Sequence, residues 1–196
     1  MKIISDDIVY FSKHTIEKSV FITLVKKIKS KVDLIDFITN YTDNKASHNV
    51  IAYRYRENDN LYLSYKEDGE PYGTSGKSLL NVIETVDLEN VIVLVKRYYG
   101  GKKLGKALLS RAYRKGFLYL LGNDIRLENK INTLTARIKF HIKNINKVNY
   151  ILSNNKIVII KKTYVDKYCK MEISLPMETN LLEEFSNLFM VEYYNK

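Results

Sequence analysis

The sequence predicts an α+β fold built as two domains. Three observations support this prediction: strand-like and helix-like segments are mixed, the polar stretch GNDIRLENK at residues 122–130 interrupts them, and the segments beyond it follow the order βαββαβ. A chain of 196 residues, of which 45% are hydrophobic, is long enough to bury a substantial core. We therefore predict one domain at residues 1–125 and a second at residues 131–196.

The first predicted domain mixes strands and helices without regular alternation. Its first helix places Leu34 and Phe37 at helical spacing, and the strand VIVLV is apolar on both faces. Polar residues at 58–60 predict a turn between two paired strands. The predicted elements are a strand at 19–25, a helix at 32–41, strands at 49–56 and 61–66, a helix at 78–86, a strand at 91–95 and a helix at 105–121.

The second predicted domain is ferredoxin-like, because its elements follow the order βαββαβ in about the minimum length that this arrangement needs. The predicted elements are a strand at 134–142, a helix at 145–152, strands at 156–163 and 168–175, a helix at 180–188 and a strand at 190–194.

Composition narrows the class of protein. No segment approaches the roughly 18 apolar residues of a membrane span, and the first residues include two aspartates where a secretory signal would carry cations. We therefore expect a cytoplasmic protein without a membrane partner. The single cysteine, Cys169, cannot form an internal disulfide. His14, His48 and His141 do not have the spacing of a zinc site, so neither a metal nor a cofactor is predicted.

Positive charge is concentrated in one stretch. The chain has a formal charge of +10, and between Glu89 and Asp124 it has eight lysines and arginines and no acidic residue. Paired glycines follow the apolar strand there, and Gly105 opens the next helix, so backbone N–H groups and the positive helix end can meet a phosphate. The alternative is a tight turn whose lysines are only solvated. We predict a nucleic-acid-binding surface, with a tyrosine able to stack on bases, formed by Lys96, Arg97, Tyr98, Lys102, Lys103, Lys106, Arg111 and Arg114.

The preceding loop, EDGEPYGTSGKS, partly matches a phosphate-binding loop. Pro71 stands where the first glycine of that motif belongs, and Asp68 and Glu70 would repel a triphosphate. We therefore predict a fixed loop in which Thr74 or Ser75 caps the following helix.

Three segments together resemble the IMPACT (YigZ) family: SHNVIAYR, DGEPYGTSGKSLLNVIE and NVIVLVKRYYGGKKLGKALLSRAY. The resemblance covers most of the first 125 residues and is that of a bacterial-type, two-domain member. It implies a first domain like the second domain of a ribosomal small-subunit protein, and a second domain like the last domain of the translocation elongation factor. The family pattern transfers to these motif-loop residues: Asp68, Gly69, Glu70, Pro71, Gly73, Thr74, Gly76, Gly100, Gly101 and Gly105.

Both structural analogues act on the ribosome, so the resemblance implies a role in translation. We expect a non-enzymatic regulator of translation that associates with RNA or the ribosome through its basic surface. Two alternatives stay open. One is a module that binds a translation-related protein, as in the eukaryotic relatives. The other is an enzyme acting on a phosphorylated small molecule in a closed pocket lined by Asp68, Glu70, Thr74 and Arg97.

Overall fold

The computed structural model describes residues 1–130, 133–176 and 187–194. The chain divides into two compact units, residues 1–130 and residues 131–196, and each unit buries its own hydrophobic residues. The mixture of sheets and helices confirms the predicted α+β class. Among the described residues, no helix is both long enough and apolar enough to cross a bilayer.

The first unit contains seven strands and three helices. In chain order they are β1 (Lys2–Ile4), β2 (Val9–Ile16), β3 (Ser19–Lys27), α1 (Lys31–Tyr41), β4 (His48–Glu57), β5 (Asn60–Lys66), α2 (Gly76–Thr85), β6 (Val91–Tyr98), α3 (Lys106–Asn123) and β7 (Leu127–Asn129).

A five-stranded antiparallel sheet forms the centre of the first unit, in the order β2, β3, β6, β4, β5. Val93 and Val95 of the central strand β6 pack in the core that contains α2 and α3. Ile92 and Leu94 point the other way and pack in the core that contains α1. Helices thus cover both faces of the sheet, which explains why β6 is apolar without alternation.

The predicted strands and helices of the first domain are confirmed, with ends that differ by up to three residues. The sequence does not predict β1, β2 or β7. The stretch at 122–130, predicted as a break, contains β7, which pairs with β1 from the start of the chain. This stretch is polar but belongs to the first compact unit.

The second unit forms a four-stranded antiparallel sheet. Its described elements are β8 (Thr133–His141), α4 (Ile145–Asn154), β9 (Val158–Val165), β10 (Tyr168–Pro176) and β11 (Met190–Tyr194). The spatial order β11, β8, β10, β9 is the order 4-1-3-2 expected of a ferredoxin-like unit. Residues 180–186 of the predicted helix 180–188 lie outside the described residues.

Candidate functional site

The glycine-rich loop before α2 encloses a carboxylate from its own chain, that of Glu67. Four backbone N–H groups donate hydrogen bonds to this carboxylate: Gly73 at 2.8 Å, Ser75 at 3.0 Å, Gly76 at 2.7 Å and Lys77 at 3.4 Å. The Ser75 hydroxyl donates to it as well. The N–H groups at the start of a helix otherwise lack partners and attract anions. Glu67 therefore occupies the position that a phosphate would take in a phosphate-binding loop.

This arrangement corrects the predicted helix cap. Ser75 is the N-cap residue of α2, but neither it nor Thr74 caps the helix with its side chain. The Thr74 hydroxyl instead donates to the Pro71 carbonyl oxygen at 2.6 Å. The cap is supplied by Glu67, which lies nine residues before the first residue of the helix.

Glu67 is held in its ionised form. Burial raises the pKa of its carboxyl, but hydrogen bonds from the Ser75 hydroxyl and from the backbone outweigh burial and leave the pKa below its ordinary value. The loop is thus neutralised internally, and a second anion bound there would meet a like charge.

A second buried network centres on Glu70, whose side chain lies between β6, α3 and the loop. Glu70 is 8% exposed, and its Oε1 accepts hydrogen bonds from Arg97 Nη1 and from the Tyr113 hydroxyl, each at 2.6 Å. His48 Nε2 lies 3.6 Å from the same oxygen. Burial and the hydrogen bond to Glu70 raise the pKa of Tyr113 well above its ordinary value, so the hydroxyl keeps its proton. The network ties the loop to the sheet and to α3.

His48 and Asp68 extend this network. His48 Nδ1 lies 2.7 Å from the backbone carbonyl oxygen of Asp68, which can only accept, so Nδ1 carries a proton. The Asp68 carboxylate accepts from the Asn49 N–H at 2.6 Å and pairs with Lys66 at 2.6 Å. Burial raises the pKa of Asp68, but these donors outweigh it and hold the pKa below its ordinary value. Both candidate acidic residues of the DGEP segment are therefore engaged in holding the loop.

An open cavity of about 440 Å³ lies beside the Glu70 network. It is lined by His48, Glu70, Pro71, Arg97, Tyr99, Lys103, Leu104 and Leu109. Of the four residues in the predicted enzymatic pocket, Glu70 and Arg97 line this cavity, whereas Asp68 and Thr74 do not. Within the described ranges, no group of three or more His, Cys, Asp or Glu side chains is arranged to hold a metal ion.

A basic surface lies on the loop after β6 and along α3. We use "basic surface" for Lys102, Lys103, Lys106, Arg111, Arg114 and Lys115. Lys102 pairs with Glu17 at 2.7 Å. In the part of the chain that the structure describes, Lys103, Lys106, Arg111 and Lys115 are exposed and form no ion pair. Five of the eight predicted nucleic-acid contacts belong to this surface.

The other three predicted contacts lie elsewhere. Arg97 is 5% exposed and is paired with Glu70, so it belongs to the interior and not to an exposed anion surface. Lys96 and Tyr98 alternate with Arg97 along β6 and therefore project from the opposite face of the sheet, toward α1. The Tyr98 hydroxyl donates to Asp43 at 2.5 Å, and this hydrogen bond raises the pKa of Tyr98 to about 12.

The first of the paired glycines after β6, Gly100, serves chain packing. A Cβ on Gly100 would lie 2.1 Å from the backbone carbonyl carbon of Lys18, so only glycine permits the turn between β2 and β3 to approach. The Gly100 N–H donates to the Ser19 hydroxyl at 3.1 Å. This N–H group is therefore used inside the protein and does not face a ligand, contrary to the expectation for glycines that follow a strand.

Sequence reasoning does not find the roles of Glu67, His48 and Tyr113. The loop pattern signals a place for an anion, but Asp68 and Glu70 lie nearer to the donor groups in the chain than Glu67 does, so the pattern does not single out Glu67. His48 and Tyr113 carry no local signal, because their partner Glu70 is 22 and 43 residues away in the chain.

The fold and this loop define a class of protein. It is a two-unit α+β protein in which the glutamate of the DGEP segment, Glu70, is buried in the first unit and paired with Arg97. Residues 17–120 match the family model described as the Impact N-terminal domain. The chain belongs to the IMPACT family.

Curated relatives agree with this assignment. The chain is 38% identical over 102 residues to the IMPACT family member YvyE of Bacillus subtilis, covering 51% of this chain and 46% of that protein. It is 30% identical over 104 residues to the IMPACT family member YigZ of Escherichia coli, covering 52% and 51%. These matches span about half the length of the relatives.

One solved structure shares the fold over both units. It is described as a crystal structure of a hypothetical protein, and it superposes with a TM-score of 0.66 at 21% sequence identity. The superposition covers 100% of this chain and 97% of the other. At this identity the likeness concerns the fold alone.

Proposed function

We propose that this protein is a non-enzymatic regulator of translation that associates with RNA or the ribosome through its basic surface. The observation that carries the proposal is the set of exposed cations on one loop and one helix, Lys103, Lys106, Arg111 and Lys115, without carboxylate partners among the described residues. Clustered, unpaired cations attract a polyanion by releasing its condensed counterions.

The start of α3 supports the same ligand class. Gly105 is its N-cap residue, no side chain caps the helix, and its first turn has no acidic residue. The first N–H groups of the helix are thus left without a side-chain acceptor, beside Lys103 and Lys106. In contrast, the start of α2 is already filled by Glu67. A phosphate would therefore be bound at α3 and not at α2.

The carboxylates of the loop support a non-enzymatic role. Asp68 is paired with Lys66, Glu70 with Arg97, and Glu67 with backbone N–H groups. Each interaction stabilises the fold of the loop, so the residues that would serve as acid and base already have a structural role. Family membership supports the connection with translation.

Charge reversal of the basic surface tests the proposal. The variant Lys103→Glu, Lys106→Glu, Arg111→Glu removes three unpaired cations, and we expect it to bind labelled RNA and purified ribosomes at least tenfold more weakly, about 1.4 kcal/mol or more. The matched control reverses three exposed lysines elsewhere on the first unit, Lys2, Lys29 and Lys45. Binding is measured by fluorescence anisotropy for RNA and by co-sedimentation for ribosomes, and thermal unfolding confirms that both variants fold.

Equal RNA binding by the two variants would contradict the proposal. If both variants still associate with ribosomes, and the association survives nuclease treatment, the protein would instead belong to the class of protein-binding modules.

A further inference from the structure

We propose that the second unit has its own binding site for single-stranded RNA, on the face of its sheet that α4 does not cover. Along β8 and β10, alternate side chains point to opposite faces. One set is buried against α4: Ala136, Ile138, Phe140, Cys169, Met171 and Ile173. The other set, with its neighbours on β9, forms what we call the open face: Arg137, Lys139, His141, Lys161, Thr163, Val165, Tyr168, Lys170 and Glu172.

The open face is basic. On β8, β9 and β10 its residues are four cations and one carboxylate, Glu172, which is the register partner of both Lys161 and Arg137. On the edge strand β11, a second carboxylate residue, Glu192, is also a register partner of Arg137, so cations outnumber carboxylates by four to two. Lys161 and Lys170 are exposed, and Lys139 is half-buried. The face therefore complements a polyanion.

Two of these lysines repel each other when no ligand is bound. Lys139 of β8 and Lys170 of β10 are direct cross-strand partners. Like charges directly opposite each other on neighbouring strands destabilise a sheet. A phosphate group bound between the two ammonium groups would remove this repulsion, which gives the pair a reason to face the same ligand.

An aromatic ring lies next to the lysine pair. Tyr168 is 43% exposed, the Lys139 ammonium lies 4.7 Å from its ring centroid, and the His141 ring meets it edge-on at 5.7 Å between centroids. Such a ring, with cations beside it, can stack on an unpaired base while the cations contact the backbone.

The open face also has a shallow depression that continues from the lysine pair. This cavity has a volume of about 180 Å³ and is lined by Arg137, Lys161, Thr163, Lys170, Met171 and Glu172. Successive rows of side chains across the sheet are about 6.6 Å apart, twice the rise per strand residue. A single strand crossing the rows would meet Tyr168 first, then the lysine pair, then the depression.

These features favour a single strand over a duplex or an acidic protein. The bases of a duplex are stacked inside it and cannot reach Tyr168. An acidic peptide would satisfy the lysines, but its carboxylate side chains would not stack on the exposed ring as an unpaired base does. The site is built from residues of the second unit, and none of them belongs to the basic surface of the first unit.

Lys170→Glu is the sharpest test, because it converts the repulsive pair with Lys139 into an attractive one. We expect the variant, as the full chain, to be at least as resistant to thermal unfolding as the unmodified protein, yet to bind labelled oligouridylate of about 12 nucleotides about tenfold more weakly. Its matched control is Lys143→Glu, an exposed lysine before α4, for which we expect less than about a twofold loss.

Tyr168→Leu tests the ring without a change of charge. We expect a loss of about fivefold or more in oligouridylate affinity, whereas Tyr150→Leu, which changes an exposed tyrosine on α4, leaves the affinity unchanged. Polyglutamate, added as a competitor, should displace the RNA from the unmodified protein only poorly. Displacement by polyglutamate at equal charge concentration, with no effect of Tyr168→Leu, would overturn the proposal in favour of an acidic protein partner.

Comparison with the first unit separates the two proposals. If the basic-surface variant loses RNA and Lys170→Glu does not, the inference fails and the proposed function stands. If Lys170→Glu loses RNA and the basic-surface variant does not, the open face is supported and the basic surface is not the RNA site.

Discussion

At the scale of single residues, the best-defined feature is the internal anion Glu67. Its carboxylate accepts hydrogen bonds from four backbone N–H groups and one hydroxyl in the loop that precedes α2 and at the start of α2. The loop partly matches a phosphate-binding loop in sequence, but its anion position is occupied by a carboxylate of the same chain. The same residue gives the loop a fixed shape beside the Glu70 network.

Glu67→Gln replaces one charged acceptor with an amide and places an NH₂ group against backbone donors. Hydrogen bonds to a charged group contribute about 1.5–3 kcal/mol, so we expect a loss of about 2–3 kcal/mol in the free energy of unfolding, measured with urea. Glu84→Gln, at an exposed position of α2, is the control and should change it by less than about 0.5 kcal/mol. Equal stability of the two variants would show that the loop does not need the anion.

The pH dependence follows from the same residue. The pKa of Glu67 is lower in the folded protein than its ordinary value of 4.5, so the unfolded chain binds the proton more readily. Its contribution to stability is fully present above the ordinary pKa and is lost as the pH falls through the lower, folded-state pKa. We expect the unmodified protein to lose stability below about pH 4.5 more steeply than Glu67→Gln.

At the scale of elements, periodicity predicts the long helices and the central strands because each of them buries a face. VIVLV predicts β6, and the spacing of Leu34 and Phe37 predicts α1. In contrast, β1 and β7 have three residues each, too few to show a period. β2 lies at a sheet edge with several exposed side chains, so its apolar pattern is weak.

The candidate site likewise has a part that the sequence predicts and a part that it does not. The cluster of cations is visible in the sequence because the residues are neighbours along the loop and α3. The interior position of Arg97 is not, because it depends on Glu70 and Tyr113 from other elements. A charge count along the chain gives the sign of a surface but does not tell which cations are neutralised by distant carboxylates.

At the scale of elements, we also predict that the close approach of the β2–β3 turn to the loop after β6 requires a glycine at position 100. Gly100→Ala would place a Cβ 2.1 Å from the Lys18 carbonyl carbon, and the turn that carries Glu17 must then move away from Lys102. We expect a loss of about 1–3 kcal/mol in thermal or urea unfolding. Gly122→Ala, where the added Cβ meets no atom within 4 Å, should be neutral or stabilising. Tolerance of both substitutions would contradict the close approach.

At the scale of the whole molecule, the chain has a formal charge of +10, and each unit has a basic region of its own: the basic surface in the first unit and the open face in the second. In each region the cations lie beside groups that suit a nucleic acid: the uncapped start of α3 in the first unit, and an exposed tyrosine in the second. These charges supply a physical means for the association with RNA or the ribosome that we propose.

The salt dependence of RNA binding tests the central claim most directly. If the basic surface contacts phosphates, the logarithm of the association constant falls linearly with the logarithm of the salt concentration. For single-stranded RNA, the variant Lys103→Glu, Lys106→Glu, Arg111→Glu should then show a slope shallower by about 2 than that of the unmodified protein, because each lost phosphate contact removes about 0.7. An unchanged slope, with unchanged affinity, would contradict the account.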